Sequence, residues 1–157
     1  MRLNVLIRRV ERLQGKVDSV VRSACMREEK WIVEANRKQM MSGYNASGEL
    51  MNEGLYSDIH YKKRVKMGLP VDHVYLSLTG DFQQKMYVEY SDTGFAVQSD
   101  DRKNWLAMQS MLTGYWPSDG VDPYYGKVFG LTMENKMLLS RRIAPRVAAN
   151  VRKQLLK

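Results

Sequence analysis

Cysteine is almost missing from this chain: Cys25 is the only one, so no internal disulfide can form and the sequence suits a reducing compartment. Histidine is nearly as scarce. His60 and His73 stand thirteen positions apart, and with one cysteine they make no recognisable metal-ligand spacing. No apolar run approaches the roughly 18 residues of a membrane span. The opening residues Met1-Arg2-Leu3-Asn4 lack the apolar core and cleavage site of a signal peptide, so export by that route is not expected. Neither phosphate-loop nor dinucleotide glycine fingerprints occur, and there is no internal repeat or low-complexity segment.

Three short motifs have bland explanations. Asp92-Thr93-Gly94 spells an aspartic-protease tripeptide, but it falls between two strand-like runs, where Asp and Gly are ordinary turn residues. Asp119-Gly120-Val121-Asp122 lacks the alternating oxygen ligands and terminal Glu of a calcium loop. Asn45-Ala46-Ser47 fits a glycosylation sequon and reads as a loop. Cys25, with no orienting partners in view, reads as a small helix residue. The expectation is a non-enzyme with no cofactor, no metal and no small-molecule substrate.

What the chain does have is positive charge, unevenly spread. Its 157 residues carry a formal +8, and 44% hydrophobic content is enough for one core, so one domain or one domain plus an arm is expected. Residues 1–41 hold ten Lys/Arg against five Asp/Glu; 60–67 hold four against none; 136–157 hold seven against none. Residues 42–59 hold none against three, and 68–135 four against nine. The cations therefore gather at both ends and in one middle run around an acidic body.

Periodicity sets the elements. Leu3, Val10, Val17, Ala24 and Trp31, with Leu6, Leu13 and Val20, follow a heptad, which predicts a long amphipathic helix over about Asn4 to Met41. Gly15 could bend or break it. Residues 1–30 read as a projecting helical arm continuous with a single small domain over 31–157. The turn-forming stretch 42–49 ends the helix, and 50–70 reads as irregular, with a short strand or helical turn around Ile59 to Val65.

Lys85 to Tyr90 and Gly94 to Gln98 predict a hairpin with Met86, Val88 and Tyr90 on one face. A middle helix from Asp101 to about Leu112 would bury Trp105, Leu106, Met108 and Leu112, and 124–130 would be an edge strand or extended segment. Thr132 opens a C-terminal helix with Glu134 in its first turn and a kink or restart at Pro145. The fold class is α+β: a long N-terminal helix, a small antiparallel sheet with a central hairpin, one middle helix and a C-terminal helix.

Two surfaces are candidates for binding. Lys62, Lys63, Arg64 and Lys66, flanked by Tyr56, His60 and Tyr61, could hold nucleic acid or an acidic partner. Leu3, Leu6, Val10, Leu13, Val17 and Val20 of the arm, with Arg141, Arg142 and Arg152, are candidate oligomer or partner contacts, because basic ends meet an acidic body when copies associate head to tail.

The order of signatures is more specific than any one of them. An amphipathic N-terminal helix, Thr79-Gly80-Asp81-Phe82 before the hairpin, Phe129-Gly130-Leu131-Thr132, and Pro145 in the last helix together resemble the tail-completion (neck) proteins of tailed bacteriophages. In that family a Thr-Gly-x-Leu/Phe motif precedes the sheet and an aromatic-Gly-Thr motif precedes a proline-started final helix. Thr79, Gly80 and Phe82 match the first, and Phe129, Gly130 and Thr132 the second, with Leu131 as an extra residue. Tyr44, Gly48, Tyr56 and the Lys62 to Leu69 segment look like versions carried by phages of gut Bacteroidales. The resemblance covers most of residues 20–157. It implies a structural virion protein, made in the host cytoplasm, that forms a ring with itself and joins portal or adaptor to tail, with DNA in the ring lumen and no membrane contact. The alternative from the residues alone is a small basic DNA-binding protein using Lys62 to Lys66 and the C-terminal bases.

Overall fold

In a computed structural model of the chain, residues 3–14, 16–75, 81–92, 94–101 and 128–156 are described. The N-terminal heptad does not form one rod. It is divided into α1 (Leu3–Gln14), α2 (Val17–Met26) and α3 (Glu29–Met41). The first break falls between Gln14 and Val17, a stretch whose sequence holds a glycine, which costs a helix about 1 kcal/mol relative to alanine. The second falls at Arg27 and Glu28, where the Glu28 amide closes a turn on the Cys25 carbonyl at 2.8 Å and its own carbonyl accepts from Ile32 at 2.9 Å. The expected single helix is thus corrected to three. The second break lets Val20, Ala24 and Cys25 of α2 and Ile32, Val33, Ala35 and Met40 of α3 all be buried. α1 and α2 both lie against the C-terminal helix.

α3 supplies the centre of the core, with Ile32 and Met40 fully buried beside Val33 and Ala35. It ends in a Schellman arrangement: Gly43 N–H donates to the Met40 carbonyl and Tyr44 N–H to the Gln39 carbonyl, with Gly43 at φ +82°. Only glycine adopts that conformation cheaply, and a Cβ here would also meet the Val74 carbonyl at 3.3 Å. The next residues close a small loop in which Asn45 Oδ1 accepts from the amides of Ser47 and Glu49, and Tyr44 bridges to Leu50. A tight turn follows over Met51–Gly54.

Of the short strand or helical turn expected around Ile59 to Val65, the helix is what forms: α4 (Asp58–Lys66) has nine residues, with Asp58 in its first turn and three bases in its last, the arrangement a helix dipole favours. α5 (Asp81–Gln84) is a single turn before the sheet.

β1 (Met86–Tyr90) and β2 (Phe95–Ser99) pair antiparallel, with Met86 opposite Ser99, Val88 opposite Val97 and Tyr90 opposite Phe95. This is the expected hairpin. Met86, Val88 and Val97 are buried, Tyr90 is half-buried, and the hairpin packs on α3. The predicted middle helix and its stripe, and most of the 124–130 segment, lie outside the described residues, as do Thr79 and Gly80.

The last element, α6 (Met133–Leu156), is one 24-residue helix with Pro145 inside it. Of the kink or restart expected there, the restart does not occur. Thr132 caps the helix, its hydroxyl oxygen accepting from the Asn135 amide at 3.3 Å. Among the described residues, no helix is long and apolar enough to cross a membrane.

Candidate functional site

Among the described residues behind the resemblance, Phe82 and Phe129 pack together in the core, and Gly130 and Thr132 are bonded to α3. Phe82 and Phe129 are both buried, with ring centroids 5.8 Å apart. One turn of α3 presents Asn36 and Gln39, three positions apart and so on one face. Asn36 Nδ2 donates to the Gly130 carbonyl at 2.8 Å, and Gln39 Nε2 donates to the same oxygen at 3.1 Å. Gln39 Oε1 accepts from the Thr132 amide at 3.0 Å. The two amides therefore take over backbone groups of 130–132, just before α6 begins. Gly130 has φ +122°, and a Cβ would touch the Ala46 Cβ at 3.4 Å. The extra residue Leu131 is almost fully buried in the core. Nothing in the sequence singled out Asn36 or Gln39; their only signal was two amides at helical spacing among apolar neighbours.

The predicted interface residues separate. Val10 and Val17 are exposed, Leu13 is half-buried and Val20 is in the core. Leu3 and Leu6 belong to α1, and their side chains lie outside the description. Arg141 and Arg152 are exposed on α6. Arg142 is tied down inside the chain instead: its Nε donates to Glu28 Oε2 at 2.7 Å, and its guanidinium lies 5.3 Å from the Trp31 ring centre. Arg146, one turn on, bonds the other Glu28 oxygen. Glu28 is buried at the hinge between α2 and α3, and these two guanidiniums hold its carboxyl below the ordinary carboxylate range. The Glu28 clamp was not foreseen. A carboxylate in a long helical pattern gives no sign that it will be buried until the helix is seen to break there.

The basic run also changes. Lys62, Lys63 and Lys66 are exposed on α4, but Arg64 is only 6% exposed. Its guanidinium lies 4.7 Å from the Tyr56 ring centre and 5.7 Å from that of Tyr75, and Nε donates to the Pro70 carbonyl at 2.9 Å. Arg64 is thus withdrawn from the expected patch and anchors α4 to the body, leaving three lysines on the surface.

Asp119-Gly120-Val121-Asp122 lies outside the described residues; the other groups tested for chemistry have structural surroundings. Burial pushes the Cys25 thiol up, away from the thiolate a nucleophile needs. His60 is lowered by burial and then by Lys63, and its Nδ1 lies 3.1 Å from the Ser57 hydroxyl. His73 bridges the Asp72 carboxylate at 2.9 Å and the Met41 carbonyl at 3.1 Å. Asp92 sits in the hairpin turn, 3.2 Å from Arg22. Among the described residues, no group of three or more His, Cys, Asp or Glu side chains could hold a metal ion. The geometry offers recognition surfaces and a braced interior.

No family model, no curated protein and no solved structure matches this chain.

Proposed function

We propose that this chain is a structural virion protein that forms a ring in the neck of a tailed phage and joins the portal or head to the tail through protein-protein contacts. The observation that carries this reading is the junction on α3. Phe82 of the first motif packs against Phe129 of the second, and the backbone that follows Phe129, at Gly130 and Thr132, is fastened to α3 by Asn36 and Gln39. Charge gives secondary support: cations gather at the two ends and on α4 around an acidic body, and Arg141, Arg152, Val10 and Val17 remain available at the surface. Such a protein works by presenting complementary faces to neighbouring copies and to portal, adaptor and tail proteins. It needs no catalytic centre and no cofactor.

The test is direct. Particles of the phage that encodes this chain are purified, the protein is sought in them, and the neck is imaged with copies counted. A ring at the head-tail joint is expected. A protein absent from particles that also fails to bind portal or tail proteins sinks the reading.

A second reading, a small DNA-binding protein, keeps one observation in its favour: Lys62, Lys63 and Lys66 are still exposed on one short helix. With Arg64 inside, that helix could neutralise only three phosphates, so the slope of log affinity against log salt would be about −3 at most from α4. Tight duplex binding lost on Lys62→Ala, Lys63→Ala and Lys66→Ala together would favour this reading.

A further inference from the structure

α4 reverses the usual pattern of a surface helix. Its one buried side chain is Arg64, while the aliphatic Ile59 and Val65 are 66% and 52% exposed, and Leu55 and Met67 beside its two ends are exposed to a similar degree. Lys62, Lys63 and Lys66 are interleaved among them. An ordinary amphipathic helix turns such aliphatics inward and its cations outward. Here aliphatics and cations are both presented to solvent, which a patch for phosphate alone does not require. Exposed aliphatics edged by lysines fit a protein surface that is apolar at its centre and acidic at its rim.

The chain carries such a surface elsewhere. Between α3 and the start of α6 lies a groove of about 620 Å³. Its apolar lining includes Trp31, Ala35, Met133 and Leu138, of which Met133 is well exposed. Two exposed carboxylates, Glu34 and Glu134, line it as well. Lys38 is the one cation among its described lining residues, and it already reaches Glu34 at 3.9 Å.

We propose that α4 of one copy docks in the α3–α6 groove of the next, placing Ile59 and Val65 against the apolar lining and Lys62 and Lys66 against Glu34 and Glu134. Charge complementarity and matched apolar exposure select a second copy of this chain as the occupant. The contact is heterologous, one surface meeting a different one, so each copy keeps a used and an unused face until the series closes. It deepens the ring reading and rests on it, since closure of a head-to-tail series is what makes a ring.

The test uses the full chain and reversed charges. Lys62→Glu with Lys66→Glu makes the helix acidic, and Glu34→Lys with Glu134→Lys makes the groove basic. Sedimentation velocity over a range of concentrations, at low and high salt, should show self-association of the unmodified chain that weakens with salt. Each double variant alone should associate at least about tenfold more weakly, because like charges then face each other. An equimolar mixture of the two should regain association, because each helix again meets an opposite groove. Circular dichroism shows that each variant is folded, and the mixture is decisive because two misfolded proteins would not restore each other.

A monomeric unmodified chain, association indifferent to the reversals, or a mixture that fails to recover overturns the proposal. So does an α4 that instead binds duplex DNA or anionic vesicles while the chain stays monomeric. If association survives both reversals and the protein is found at the neck, α4 is displaced and the ring reading stands. Absence from particles defeats the ring reading whatever α4 does.

Discussion

The side-chain amide of Asn36 donates to the carbonyl of Gly130, 94 residues further along the chain, at 2.8 Å. This bond joins the centre of α3 to the strand of backbone that leads into the last helix. Asn36 is fully buried, so losing the donor leaves the part-buried Gly130 carbonyl with only the Gln39 bond. Asn36→Ala should lower unfolding free energy by about 1–3 kcal/mol, measured by urea denaturation with an unchanged m-value.

Gly130 tests whether the same junction depends on backbone conformation. At φ +122°, any L side chain is strained, so Gly130→Ala should cost about 1–3 kcal/mol. Shrinking the nearby residue by Ala46→Gly should return little of this, since the 3.4 Å approach is ordinary contact and the φ angle is the source of the penalty. Full rescue in the double variant would show that packing, not conformation, requires glycine here.

Arg64 and the lysines beside it should respond oppositely. Arg64→Lys keeps the charge but loses the planar group over Tyr56 and the Nε bond to Pro70, and should cost about 1–3 kcal/mol. Lys63→Ala, on the exposed side of the same helix, should stay within about 0.5 kcal/mol. Equal thermal shifts for the two variants would contradict the burial of Arg64.

Acid should loosen the Glu28 clamp. Hydrogen bonds from Arg142, then Arg146, lower the Glu28 pKa from its ordinary 4.5 against the opposing effect of burial. A carboxylate lowered on folding stabilises the fold fully above its unfolded value, and that contribution fades as pH falls below about 4.5 and through the folded-state value. The thermal midpoint of the unmodified chain should drop over that window. Glu28→Gln should lower the midpoint at pH 7 and flatten its fall in acid, because no proton can then be taken up at that site.

The hairpin was legible because its signal is local: two alternating runs with a Ser-Asp-Thr-Gly turn place Met86 and Val88 on the buried face with no help from the rest of the chain. The cap at Thr132 and the acid at Glu134 were legible for the same reason. The heptad misled because Leu3 to Trp31 keep their spacing across two breaks, and periodicity records which side is apolar but not whether the axis is straight. α4 was legible only as a short strand or helical turn, because its aliphatics face outward and its pattern lacks the inward stripe by which a helix is told from a strand. Asn36, Gln39 and Glu28 were invisible for a further reason: their partners lie at least 91 residues away, and only the fold brings an amide or a carboxylate to them.

Proline has no N–H, so the Arg141 carbonyl of α6 lacks the backbone partner that Pro145 would otherwise supply. Arg142 and Arg146 stand on either side of that gap and grip the two oxygens of a single carboxylate. Glu28 therefore works as a splint across the one turn of α6 that its own backbone cannot fully tie, and it fastens that turn to the junction of α2 and α3.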